Sequence, residues 1–254
     1  PDGRVYYFGF NRSHPVLKNI KIRQALSLAV DRKQLVDSVL NGVGLPASGV
    51  VALGNAGEKG DFRKEAGDLF AQFSNTNPKQ LFDEGLKELN ITPTQVKLKL
   101  TVDEKGTGKK EAEFYQAQWK EKLGIDVEVE VLTTKERIAR AKAGEFDIVR
   151  YGWGPDYADP MTYLEIFHSK SKDLNFAKYS NPKYDELIDL AKVNQDNKTR
   201  MDAMKQAEKL LADDFTYSAI YYQVGVYLIN PNLKGVVLRS VGDSVDFYNA
   251  YVTK

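Results

Sequence analysis

The residues that could do chemistry cluster in one turn-rich stretch, Gly154–Pro160, where Asp156 and Asp159 flank Tyr157 and Ala158. Two close carboxylates can act as acid and base on a glycoside, or can hold a cation such as a ligand ammonium. Aspartate is also an ordinary turn residue, which gives the bland reading of the same pattern. Position favours a ligand. The stretch follows an expected strand, Phe146–Trp153, and open α/β sheets receive ligands just past the carboxyl ends of their strands. Trp153 beside it offers a large apolar or stacking surface.

Other candidates are weaker. The loop Asp103–Lys110 (DEKGTGKK) lies between an expected strand and helix, the context of a phosphate cradle. It carries Asp where that motif needs its first Gly and Lys where it needs Ser or Thr, so it reads as a polar turn with a basic helix start. The chain has only two histidines, His14 and His168. Neither has a second ligand at helical spacing, and both read as solvent-facing or structural. There is no cysteine, which removes disulfides, thiolate nucleophiles and zinc–thiolate sites. No Gly-x-Ser-x-Gly elbow is present. No cofactor is called for.

The elements that must position the carboxylates alternate. Arg4–Asn11 is aromatic and extended. Ile22, Ala25, Leu26, Ala29 and Val30 recur at helical spacing, and Asp31 with Gln34 reads as a capping box opening a helix to Leu40. Residues 41–76 are glycine-rich and aperiodic, an irregular connection. Asn77-Pro78 starts a helix to about Leu89. Val96–Val102 alternates as a strand with one buried face. A helix over 109–123 buries Tyr115, Trp119 and Leu123 and stops at Gly124. Val127–Val131, a helix over 134–143 and Phe146–Trp153 complete a strand–helix–strand–helix–strand pattern, the mark of a parallel α/β sheet. Three helical segments follow, one opened by Asn181-Pro182 and the last, 197–213, carrying Met201, Met204, Ala207 and Leu211. Ser218–Ile229 reads as two strands meeting near Val224-Gly225, with an irregular tail.

The 254 residues are 42% hydrophobic, enough for a packed core, with 36 basic against 35 acidic side chains. That balance gives no strong field for nucleic acid or an acidic membrane surface. No apolar run approaches the roughly 18 residues of a membrane helix. The first residue is Pro1 with no initiator Met or signal segment, which suggests part of a longer chain.

Several segments together resemble the oligopeptide-binding proteins of bacterial ABC importers, extracellular solute-binding protein family 5. Trp153–Pro160 (WGPDYADP) resembles that family's W-x-x-D-Y-x-D-P signature. Ile22–Arg32 (IRQALSLAVDR) resembles its R-x-A-L-x-x-A-[IV]-D-R helix, and Leu123–Val127 (LGIDV) its L-G-I-x-V strand start. Phe146-Asp-Ile148 and Tyr179–Asp185 match as well, in the family's order and spacing.

The resemblance implies an α/β fold, a mixed sheet flanked by helices forming one lobe of a type II periplasmic-binding-protein-like clamp, aligned with the family's C-terminal half. It places a crossing strand toward the other lobe at 1–12, the distal peptide-binding lobe at 13–216, and returning strands and tail at 217–254. The surface meeting the other lobe would expose Tyr6, Phe8, Phe10, Tyr221, Tyr222, Phe247 and Tyr251. It further implies a binding protein, not an enzyme, that passes oligopeptides to ABC permease subunits outside the cytoplasm, with any membrane link through a lipid anchor outside this chain. Other cargoes on the same fold are a peptide pheromone, a dipeptide, haem, a metal chelate or a sugar oligomer. A carboxylate-dependent hydrolase is the competing class. By the resemblance Asp156 holds the peptide α-ammonium, and Gly152, Trp153 and Gly154 supply backbone partners. Arg150 meets the ligand carboxylate, Lys142 adds a looser cation, and Tyr222 lines the pocket. The family's second tryptophan region, near Thr134, is not kept.

Overall fold

The computed structural model describes residues 2–242 and 244–253; Pro1, Asp243 and Lys254 lie outside them. In chain order the elements are β1 (Val5–Phe10), α1 (Ile20–Leu28), α2 (Arg32–Gln34, continued by a π-helical turn over Leu35–Val39), β2 (Leu45–Pro46), α3 (Phe62–Ala66), α4 (Pro78–Leu89) and β3 (Leu98–Asp103). They continue with α5 (Gly108–Leu123), β4 (Val127–Leu132), α6 (Thr134–Ala143), β5 (Ile148–Trp153), α7 (Met161–Leu164), α8 (Pro182–Val193), α9 (Asn197–Asp214) and β6 (Tyr217–Tyr222). Four two-residue strands follow: β7 (Leu233–Lys234), β8 (Val237–Leu238), β9 (Val245–Asp246) and β10 (Tyr251–Val252). Among the described residues no helix is long and apolar enough to cross a membrane.

Six strands make one mixed sheet in the order β2-β6-β1-β5-β3-β4. β3 runs parallel to β4 and β5, and β1 runs antiparallel to β5 and β6. Helices cover both faces. Phe8, Phe10, Ile148 and Ile220 pack beneath α1, α4 and α5, while Tyr7, Val149, Tyr217 and Ala219 pack beneath α7, α8 and α9. The expected caps form: Asn77 and Asn181 accept N–H bonds at the starts of α4 and α8, and Gly124 ends α5 at φ 75°.

Several expectations change. β3 is not one-sided: Thr101 is buried as well, because β3 has neighbours on both edges and helices on both faces. Asp31 does cap Gln34 N, but its own N–H meets Gln118 Oε1 on α5 at 3.3 Å, so the box is open and the helix continues as a π turn. The irregular 41–76 segment contains β2 and the Asp61-capped α3. Ser218–Ile229 supplies one strand, not two. β6 ends at Tyr222; Gln223 still bonds the lead-in to β1, its N–H donating to Arg4 O at 2.9 Å and its O accepting from Asp2 N at 3.2 Å, and among the described residues none from 224 to 229 joins a strand.

The largest correction concerns β1 and β6. They are interior strands of this sheet, flanked by strands on both edges. Phe8 and Phe10 are 0% exposed, Tyr221 3% and Tyr222 1%, so these residues form no open face. Only the tail keeps the expected exposure, with Phe247 at 58% and Tyr251 at 60%.

A buried ion pair anchors the irregular segment to α9. Arg63 Nη1 donates to Glu208 Oε1 at 2.6 Å, and Val51 N donates to the same oxygen at 2.9 Å. Arg63→Ala leaves that carboxylate buried without its cation, and should cost about 3–5 kcal/mol of unfolding free energy. The double change Arg63→Met with Glu208→Leu should recover most of the loss. Denaturant titration of the two variants checks both statements.

Candidate functional site

The site is built at the carboxyl end of β5. β1 pairs along the whole strand, from Phe10↔Ile148 to Val5↔Trp153. β3 pairs only with Ile148 and Val149. Even-numbered β5 residues turn their main chain toward β3, so past the Thr101↔Val149 pair the carbonyl of Arg150 and both main-chain groups of Gly152 meet no described strand. An open edge of this kind accepts another extended chain.

The turn after β5 continues that edge. Gly152 has the Tyr6 ring where a Cβ would stand, at 2.6 Å, and at Gly154 the Arg4 guanidinium is 3.0 Å from that position. The glycines thus admit side chains of β1 and its lead-in, an approach from within the chain. Trp153 packs on the α7–α9 side of the sheet, and its buried indole Nε1 has no acceptor among the described residues. Asp156 is exposed; its N–H donates to Thr162 Oγ1 at 3.1 Å, and its carboxylate has no partner among the described residues. Asp159 is committed. Arg200 on α9 donates to both its oxygens at 2.7 and 2.8 Å, and Met161 N donates at 2.8 Å. The two carboxylates are therefore unlike: one is a fastener of the turn and one is free, which does not make an acid–base pair. A hollow of about 330 Å³ opens beside Trp153 and Asp156, lined also by Glu165, His168 and Lys192.

On the other side of the sheet a second hollow, about 320 Å³, holds Tyr6, Lys105, Gly106, Thr107, Arg150 and Tyr221. Arg150 is buried and paired to Glu111 of α5. Its Nε donates to Oε2 at 2.8 Å and its Nη2 to Oε1 at 2.5 Å, while Nη2 also reaches the Tyr221 hydroxyl at 2.7 Å. Thr107 Oγ1 at 2.6 Å and the Tyr115 and Tyr221 hydroxyls at 2.9 and 3.0 Å complete the Glu111 shell. The guanidinium lies over the Tyr6 ring, 4.0 Å from its centroid. Burial is the largest single influence on the Arg150 pKa and lowers it, but the Glu111 carboxylate, Tyr221 and Tyr115 together outweigh it, and the net shift is upward.

Two expected site residues fall elsewhere. Lys142 is exposed in the last turn of α6, which runs back antiparallel to the strands it joins, so it lies at the amino end of β5 near Asn11. Arg137, earlier on α6, is the cation beside the site: its guanidinium is 3.0 Å from Asp103 and 4.2 Å from the Tyr151 ring centroid. Tyr222 is turned into the core. The β1–β6 register shifts between Tyr6 and Tyr7, which puts Ile220 and Tyr221 on one face and Tyr222 on the other. Its hydroxyl donates to Gly49 O at 2.9 Å, and burial pushes its pKa up to about 12. Tyr221, and not Tyr222, lines the hollow beside Arg150. Each histidine fastens a local turn: His14 Nδ1 accepts Val16 N–H at 3.2 Å, and His168 Nδ1 accepts Lys170 N–H at 3.0 Å. The 103–110 loop forms the rim of the second hollow. Glu111 is not among the residues the sequence singles out, and Tyr221 is expected only on the surface meeting another lobe. The available signal was Glu111 four residues before Tyr115, a charge on the buried stripe of α5.

Residues 1–175 match the family model of the bacterial extracellular solute-binding proteins, family 5 middle region. The chain belongs to this family. It is 30% identical over 253 residues to the oligopeptide-binding protein OppA of Bacillus subtilis, covering 99% of this chain and 46% of that protein. To the dipeptide-binding protein DppE of the same organism it is 34% identical over 239 residues, 94% of this chain and 44% of that one. The crystal structure of an oligopeptide ABC transporter substrate-binding domain from Bacillus anthracis superposes with a TM-score of 0.83 at 30% identity, over 99% of this chain and 50% of its own. The chain thus spans about half the length of these solute-binding relatives, which are named for binding and not for catalysis.

Within this family 5 chain the Arg200–Asp159 clamp should set the order of the turn that presents Asp156. Arg200→Ala should lower stability by about 1–2 kcal/mol, and should speed amide exchange at 156–161 more than in α8 or β3. Hydrogen-exchange mass spectrometry of the variant reads both regions at once.

Proposed function

We propose that this chain is the distal lobe of a two-lobed binding protein that captures extended oligopeptides outside the cytoplasm and hands them to the permease of an ABC importer. The observation that carries the proposal is the open edge near the end of β5, which leads to an exposed carboxylate, Asp156, with no partner among the described residues. An extended peptide laid along the edge satisfies its main chain there whatever its side chains are. Its α-ammonium then meets Asp156, while Gly152, Trp153 and Gly154 offer backbone partners. The hollow beside Trp153 gives room for side chains, with space for bridging water.

The other lobe lies outside this sequence in the proposal. The tail beyond β6, with exposed Val226, Leu228, Phe247 and Tyr251, packs against it. Closure of the two lobes over the peptide is a hinge motion. Attachment to the membrane, where it occurs, is through a lipid anchor outside this chain. The names of the family 5 relatives support peptide as the cargo over haem, a metal chelate or a sugar oligomer.

Asp156→Asn in the full-length protein should weaken peptide binding at least about tenfold, since truncating one partner of a partly desolvated charge pair costs about 2–5 kcal/mol. N-acetylated peptides should bind the native protein correspondingly poorly. Titration calorimetry with matched free and acetylated peptides decides the matter: equal affinities for the two would remove Asp156 from the ammonium site.

A further inference from the structure

We propose that Glu111 determines specificity in the hollow beside Arg150, making it a seat for neutral main-chain groups and turning away the carboxylate of a peptide C terminus. The proposal rests on the peptide-binding reading above. It departs from the role that the family resemblance gives Arg150.

A cation that receives a ligand carboxylate needs charge in excess and donors to spare. Arg150 has little of either. Two of its three nitrogens are bonded to Glu111, and the pair is buried, with side-chain exposures of 4% and 0%. Its net charge is zero. Only Nη1 makes no hydrogen bond to a described residue, and the guanidinium lines the hollow. A ligand oxygen bound there sits across one guanidinium from the Glu111 carboxylate, a few ångströms away in a low-dielectric setting. For a carboxylate the attraction to Arg150 and the repulsion from Glu111 nearly cancel, and its desolvation goes uncompensated. A peptide carbonyl brings no charge, is cheaper to desolvate, and still gains the Nη1 bond.

The rest of the wall agrees. Tyr6 and Tyr221 are stacked with centroids 4.7 Å apart, forming an aromatic side to the hollow. The Tyr221 hydroxyl already donates to Glu111. Lys105 is the remaining cation of the lining. It is exposed at the rim beside the exposed Glu104, where solvent and salt leave a charge pair worth little. A ligand therefore runs through this hollow as main chain, and its C terminus lies beyond it.

The test uses alanine peptides of three to six residues, each as free acid and as C-terminal amide, titrated calorimetrically into the full-length protein. At every length that binds, the two forms should agree within about threefold. A preference of tenfold or more for the free acid at any length would overturn the proposal, and this comparison needs no variant. Glu111→Gln leaves Arg150 charged without its partner. In that variant one length should gain a free-acid preference of about tenfold, while the amides change little. A folded Glu111→Gln protein with the native acid-to-amide ratio at all lengths would remove Glu111 as the determinant. Failure of every peptide to bind the native protein would instead overturn the peptide-binding reading, and the present proposal with it.

Discussion

The buried Glu111 carboxylate is the constraint around which the site end of the molecule is arranged. A carboxylate with no exposure is tolerated only when its charge is balanced and its lone pairs are filled. Here the balance comes from β5 through Arg150, and the filling from α5 through Tyr115, from β6 through Tyr221 and from the β3–α5 loop through Thr107. Four separate parts of the chain must therefore be in register at one point. Such a pair adds little net stability over a hydrophobic replacement, but it rejects alternative packings that leave the charge unmet.

The sheet order follows from the same requirement of coverage. β1 and β6 are rich in large aromatics on both faces, and only a central position with helices above and below removes all of them from water. That placement gives β5 a full-length antiparallel neighbour in β1. β3 diverges after Thr101 to stay with β4, leaving the end of β5 open on one side. The open edge is thus a by-product of two strands following different neighbours. The bulge in β6 adds the aromatic wall by turning Tyr221 to the face of Arg150.

Asp156 and Asp159 show how one turn separates two like residues by their surroundings. Asp159 is reached by α9, whose Arg200 clamps both oxygens, so it holds the turn. Asp156 stands three residues earlier, beyond that reach, and its exposed carboxylate has no partner among the described residues.

The sequence by itself determined most of the elements and the family. Caps such as Asn77, Asn181 and Gly124 act within a few residues of themselves, so their helices are legible locally. The signature around Trp153–Pro160 is legible for the same reason: its residues are contiguous. Tertiary structure alone decided the rest. That Tyr221 and not Tyr222 faces the hollow depends on a register shift against β1, over two hundred residues away in the chain. That Lys142 is remote depends on the direction in which α6 returns. That Arg150 is already paired depends on a helix contributing one charge at a buried position of its stripe. Each is a relation between distant segments, set by which faces must be covered and which charges must meet, and residue type and spacing carry no record of it.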